Sequence, residues 1–308
     1  MATSASLTPT PNTKPTQDSL VAKLRRWFVR LLGPITLLGP AGLWLLLLLV
    51  VPTLMILELS LLPDFRPGTE APPYGLGNYL KILQPIYLWV IGRSVFFALS
   101  STVICMLLGF PVAYWIAVMA PKKYQNLLLV SFVLPLWTSS LLRSYAWITI
   151  LRPTGVLNSF LSWFGLPPTE ILNTQGAVII GMAYNFLPYM VLILYASLER
   201  LDKRLLEAAA DLGAKPQQTF WKITVPQTLP GIAAGGLLVF ITSLGDFVVP
   251  DLLGGASSMT MARLIYNQFL GATRNWGFGS ALSMILILGV SLSIALLLKY
   301  GDTKAEDL

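Results

Sequence analysis

Glu58, Asp246 and Asp251, carboxylates set in or beside long apolar runs, are the side chains of this sequence best suited to holding a charged ligand. Trp137, Tyr145, Trp147, Tyr184 and Tyr189 lie in similar surroundings. Carboxylates and aromatic faces both attract ammonium groups, so together these residues could line a path for a cation. Each also has a plainer use. Asp246 and Asp251 could cap helix ends or pair with Arg143 or Arg263, Glu58 could sit among lipid headgroups, and tryptophan and tyrosine gather at membrane interfaces whatever the cargo. An ionised Asp facing lipid near the bilayer centre costs about 2.5–3.5 kcal/mol on insertion scales, so Asp246 must face a cavity, a partner or the interface.

Covalent chemistry has little to work with. The chain contains no histidine, the commonest general base and metal ligand, and its one cysteine, Cys105, stands alone in an apolar run. No nucleophile with its base, no metal-ligand spacing and no G-x-x-x-x-G-K-[ST] phosphate loop occurs. Neither a catalytic residue, a metal site nor a bound cofactor is expected.

A second constellation is made for contact with protein. Residues 199–226 read ERLDKRLLEAAADLGAKPQQTFWKITVP, and Leu201, Leu205, Leu206, Ala209 and Leu212 recur there at helical spacing. Gly213 can take the left-handed geometry that ends a helix, and Pro216 suits the first turn of another. The expected product is helix, turn, helix. A lipid-bound amphipathic helix usually carries a more strongly basic polar face than Lys203, Arg204, Glu207 and Asp211 provide. Ala208, Ala209 and Ala210 instead offer a low surface for close packing by another protein, beside Glu207, which can pair with a partner's cation.

The elements that must position these residues are membrane helices. Of 308 residues, 55% are hydrophobic and 11% charged, against roughly 45–50% and 25% in a soluble domain. The apolar residues come in blocks of about 20, the length that crosses a hydrocarbon core. Six spans are expected, at about 35–57, 94–119, 127–150, 177–198, 229–249 and 278–298. Residues 1–30 are expected to form a disordered cytoplasmic tail, rich in Thr, Ser and Pro over the first 22, and 301–308 a short cytoplasmic tail. Between them, 31–300 forms one transmembrane domain, its first span a retained signal anchor. Pro40, Pro52, Gly109, Pro111, Pro135, Pro188, Gly235 and Gly236 fall inside spans, where kinks and close helix contacts are their ordinary use.

The net charge of +7 is expected to report topology rather than nucleic-acid binding. With the N-terminus inside, fourteen Lys and Arg fall on the cytoplasmic side and seven on the other. Both termini are then cytoplasmic.

The 199–226 segment resembles the EAA motif of bacterial ABC importer permeases, E-A-A-x3-G-x9-I-x-L-P. Glu207, Ala208, Ala209, Gly213, Ile223 and Pro226 match it, and Val225 stands where the motif has Leu. In that family the segment is a coupling helix that sits in a cleft of the cytoplasmic ATPase. The resemblance implies an all-α type I ABC importer permease fold, with ATP and Mg on a partner ATPase dimer. It also implies a second homologous permease, an extracytoplasmic binding protein and residence in the bacterial inner membrane. LPLWTSSLLRSYAWITIL (134–151), GVLNSFL (155–161) and GDFVVPDLLGG (245–255) look most like the spermidine/putrescine subgroup. Permeases for ferric iron, thiamine and opines share parts of these segments. A carrier driven by ions would need acids paired near the midplane, and the sequence has no clear pair.

Overall fold

The computed structural model describes residues 18–302, with side chains from 39 to 299 except Lys203. No strand occurs among them. The chain divides into two units, Met1–Met55 and Ile56–Leu308.

Helix α1, Asp18–Ser60, crosses that division. It begins inside the stretch expected to be a disordered tail up to residue 30; residues 1–17 of that tail lie outside the described residues. Leu20, Leu24, Phe28 and Leu32 repeat at four-residue spacing, a helical period that runs straight into the apolar block. From Gly39 to Ser60 the helix is long and apolar enough to span a membrane.

The second unit contains α2 (Gly77–Ile82), α3 (Pro85–Tyr114), α4 (Lys122–Val133), α5 (Ser140–Leu151), α6 (Val156–Trp163) and α7 (Gln175–Glu199). Then come α8 (Lys203–Asp211), α9 (Pro216–Thr219), α10 (Val225–Gly245), α11 (Val248–Leu253), α12 (Met261–Phe269) and α13 (Trp276–Asp302). Helices α3, α7, α10 and α13, with their wider terminal turns, supply four spans. The expected continuous third span is corrected. Residues 122–137 and 140–163 form two arms bent by 91°. Pro135 lacks an N–H and starts a tight 3-10 turn, the Thr138 hydroxyl bonds the Pro135 carbonyl at 2.7 Å, and Thr138 and Ser139 are extended. The described residues thus give five continuous spans, or six if the bent pair counts as one.

Close backbone approach holds α3, α7 and α10 together. A Cβ on Gly231 would lie 2.3 Å from Ser197, and one on Gly235 3.0 Å from the Met190 sulfur, so these two glycines, four apart, make the small-residue seam of α10 against α7. Gly109 of α3 admits Met190 in the same way. Around the seam Cys105, Ala113, Ile116, Met190, Val191, Leu194, Leu198 and Val239 are buried. A second cluster, Phe97, Leu151, Val178, Met182, Val249 and Leu253, packs α11 onto α7. Gly181 is its contact point, since a Cβ there would meet Leu253 at 2.4 Å. A third joins α2, α12 and α13 through Ile82, Met261, Phe278, Ala281 and Leu282.

Candidate functional site

Between α7 and α10 the chain forms a compact two-helix knob. The Asp202 carboxylate accepts the Arg204 N–H at 3.0 Å and caps α8. At the other end Gly213 takes φ +78°. Its N–H bonds the Ala210 carbonyl and the Ala214 N–H bonds the Ala209 carbonyl, both at 2.9 Å. That paired closure satisfies carbonyls the helix would leave open, and it requires the left-handed turn that glycine makes cheaply. Pro216 opens α9 and the Gln218 side chain accepts the Lys215 N–H at 2.9 Å.

Of the six motif residues, Ala209 is buried and Ile223 half-buried, while Glu207, Ala208, Gly213 and Pro226 are exposed. The knob is fixed to the bundle by Phe220, whose ring meets Phe110 and Tyr114 of the α3 end edge-on at 5.5 and 5.6 Å. Its outer surface carries apolar side chains that the motif does not name, foremost Leu212, 89% exposed, and Trp221, 68% exposed. Trp221 directly follows the anchoring Phe220, and no sequence pattern marks its outward position.

The pathway candidates scatter over several elements. Trp147 of α5 and Tyr184 of α7 meet edge-to-face at 5.5 Å. Trp137 and Tyr145 are exposed on the two arms of the bent pair, and Tyr189 is exposed on α7. Glu58 is exposed and accepts a hydrogen bond from the Tyr74 hydroxyl at 3.3 Å. Asp246, half-buried, ends α10 and starts α11: its Oδ1 accepts the Val248 and Val249 N–H groups at 2.8 and 3.4 Å. Arg143 of α5 acts on this carboxylate electrostatically, without the two coming within 4.0 Å. Next to it Phe247 stacks on Tyr266 of α12 at 4.7 Å. Asp251 is tied to Arg263 at 2.7 Å. Asn185, buried on α7 one turn from Gly181, has an amide oxygen with no protein partner, and no sequence pattern marks it.

Loop 61–76 is locked by Asp64. Its carboxylate accepts Lys81 Nζ at 2.8 Å and Asn275 Nδ2 at 2.6 Å. The Lys81 hydrogen bond, followed by that from Asn275, holds the Asp64 carboxyl below its ordinary range. Asn78 completes the lock, giving its amide protons to the Ser60 and Leu62 carbonyls.

Residues 109–304, which include the whole knob and the Asp246 turn, match the family described as binding-protein-dependent transport system inner membrane component. The chain belongs to that family. It is therefore a permease component of such a transport system and a multi-pass protein of the inner membrane. It is 42% identical over 257 residues to the spermidine/putrescine transport system permease protein PotB of Haemophilus influenzae, covering 83% of this chain and 88% of that protein. The Escherichia coli K12 PotB is 43% identical over 253 residues, covering 82% and 91%. The E. coli inner membrane ABC transporter permease protein YdcU is 32% identical, with 89% of each chain covered. Among solved structures, a chain of a bacterial ABC transporter that imports the acidic polysaccharide alginate superposes with a TM-score of 0.69 at 21% identity, over 92% of this chain and 99% of that one. At that identity the likeness is one of fold, and the fold is the type I importer permease.

Proposed function

We propose that this permease carries polyamines, spermidine and putrescine among them, as one subunit of an ATP-driven importer. The observation that carries the reading is the 42–43% identity to spermidine/putrescine permeases over more than four-fifths of the chain. A second homologous permease pairs with it to enclose the pathway. An extracytoplasmic binding protein delivers the polyamine, and a cytoplasmic ATPase dimer holds the ATP and Mg. The fourteen-to-seven split of cations over six spans supports placing both termini and the α8–α9 knob on the ATPase side.

The knob suits its task because it is capped at both ends and pinned by Phe220 to α3, so a push on it passes to the bundle rather than bending the loop. Glu207, Ala208, Gly213, Ile223 and Pro226, with the buried Ala209 supporting them, form the coupling element, and exposed Leu212 and Trp221 add apolar contact area. Closure of the ATPases on ATP shifts the two permeases between inward and outward openings, and hydrolysis resets them. The polyamine is not altered chemically. Asp246, with only one oxygen used in its cap, and the adjoining Phe247–Tyr266 stack offer an ammonium group a carboxylate and an aromatic face. Asp251, Glu58, Trp137, Tyr145, Trp147, Tyr184 and Tyr189 complete the pathway candidates.

The test is competition for labelled polyamine uptake in cells carrying the whole transporter. Unlabelled spermidine and putrescine must compete; competition by ferric iron or thiamine in their place rejects the substrate. Uptake that survives loss of the ATPase would mean an ion-coupled carrier.

A further inference from the structure

Arg143 lies in the first turn of α5, just past the 91° break, and its side chain is half-buried. Its Nε and Nη1 are shut away from solvent with no acceptor in the protein. Arginine keeps its proton, so the group cannot escape the cost of burial by becoming neutral. Unpaired donors on a buried charge are therefore a penalty that a nearby acceptor would relieve.

Asp246 has the complementary gap. Its Oδ1 accepts two backbone N–H groups, while its second oxygen accepts nothing from the described residues and no described cation comes within 4.0 Å. Packing brings the two residues to one place. Trp147 and Ile148, one turn beyond Arg143, pack on the cluster in which Leu151 of α5 joins Val249 and Leu253 of α11, the helix that begins just after Asp246. Arg143 acts on the Asp246 carboxylate across the remaining gap. The arginine on the α12 side, Arg263, is already committed to Asp251 and the Gly255 carbonyl.

We infer that Arg143 is the resident competitor at Asp246: its guanidinium swings onto the free carboxylate oxygen when the site is empty, and an ammonium group of the solute must displace it. The inference rests on the reading of Asp246 as a cation-binding residue of the pathway. A tethered cation is present at a high effective concentration, so a solute with one ammonium group displaces it poorly. A polyamine succeeds because its second charge, held elsewhere on the path, makes the two contacts act together. Arg143 thus sets a threshold of charge that the solute must pass, and no bond is made or broken.

The transporter, purified with the subunits that accompany it, is titrated with spermidine and with propylamine, and binding is read from the thermal unfolding midpoint. The wild type should bind spermidine and not propylamine. Arg143→Gln should bind spermidine about fivefold more tightly, the equivalent of roughly 1 kcal/mol of competition removed, and should gain propylamine binding. Both gains should vanish when Asp246→Asn is added. Arg143→Lys keeps a cation without the fork and should tighten spermidine binding by a smaller factor. Unchanged or weaker spermidine binding in Arg143→Gln or Arg143→Lys at matched folded yield overturns the inference, as does tightening that persists beside Asp246→Asn. Uptake that spermidine does not compete for fails the substrate reading; uptake that it does compete for, with no tightening in the variants, fails this inference alone.

Discussion

Asp251 and Arg263 form an ion pair of 2.7 Å that ties α11 to α12, and Arg263 also donates to the Gly255 carbonyl at 2.5 Å. Asp251 is half-exposed, so the pair is a modest brace, worth about 0.2–1 kcal/mol in the usual range for accessible pairs. Asp251→Asn should therefore lower the thermal unfolding midpoint slightly, Arg263→Gln should lower it more because the Gly255 hydrogen bond goes too, and the double variant should lose no more than Arg263→Gln alone. A large selective rise in the polyamine KM of Asp251→Asn, with stability intact, would instead put Asp251 in the pathway.

Asp246 differs because its charge and its cap can be separated. Asparagine can accept the same Val248 and Val249 N–H groups, so Asp246→Asn should assemble normally while polyamine uptake weakens. Asp246→Ala should lose the cap as well, adding about 0.5–2 kcal/mol of destabilisation. Uptake assays and thermal unfolding on the two variants separate the roles. Undiminished transport by Asp246→Asn would leave it a capping residue.

The knob makes a third case. A Cβ on Gly213 meets nothing within 4 Å, so the cost of substitution comes from its φ of +78° alone. Gly213→Asn, which tolerates that region, should retain coupling better than Gly213→Val. Glu207→Lys should leave membrane insertion and folding untouched and release the ATPase, read as loss of co-purification. Normal co-purification and uptake in both Glu207→Lys and Gly213→Val would remove the coupling role.

Loop 61–76 should respond to acid through Asp64. Its carboxyl sits below the ordinary range, so the folded state binds this proton less readily than the unfolded state. The stabilisation is fully present above the unfolded value of about 3.9 and is lost as pH falls through the lower folded value. Hydrogen-exchange protection in residues 61–76, taken relative to the intrinsic rate at each pH, should thus be insensitive to this group from about pH 5 to 7 and fall below about pH 4. Asp64→Asn should raise exchange at neutral pH and flatten the acid response; an unchanged acid response would assign the effect to other groups.

Much of this molecule was legible because a bilayer permits few solutions. Apolar blocks of about 20 residues can only be spans, and three of the six expected ranges fall within the continuous helices α1, α7 and α13; the second, 94–119, runs from α3 into the wider turn 115–119 that continues it, and the fifth, 229–249, overruns α10. Gly213 was legible as a helix stop because few residues besides glycine end a helix in that way, and the knob has the predicted helix, turn, helix form. Two boundaries were not. Pro135 is compatible with a mild kink or with a break, and only the surroundings of Thr138 and Ser139 made it a 91° bend. The end of the fifth span came too late because Val248 and Val249 continue the apolar run, whereas the chain turns at Asp246 to lay α11 on Gly181.

The amino-acid order by itself determined the solvent, the class of fold and the helix–turn–helix form of the 203–219 segment, since each rests on local period, length or a contiguous motif. Tertiary structure alone decided what each isolated charge does. Asp251, Asp246 and Arg93 are alike in sequence as single charges beside apolar runs. Asp251 and Arg93 find partners far along the chain, Arg263 and the Ser257 carbonyl, whereas Asp246 caps the Val248 and Val249 N–H groups just beyond it. Electrostatic energy depends on distance and burial, and neither is set until the helices pack.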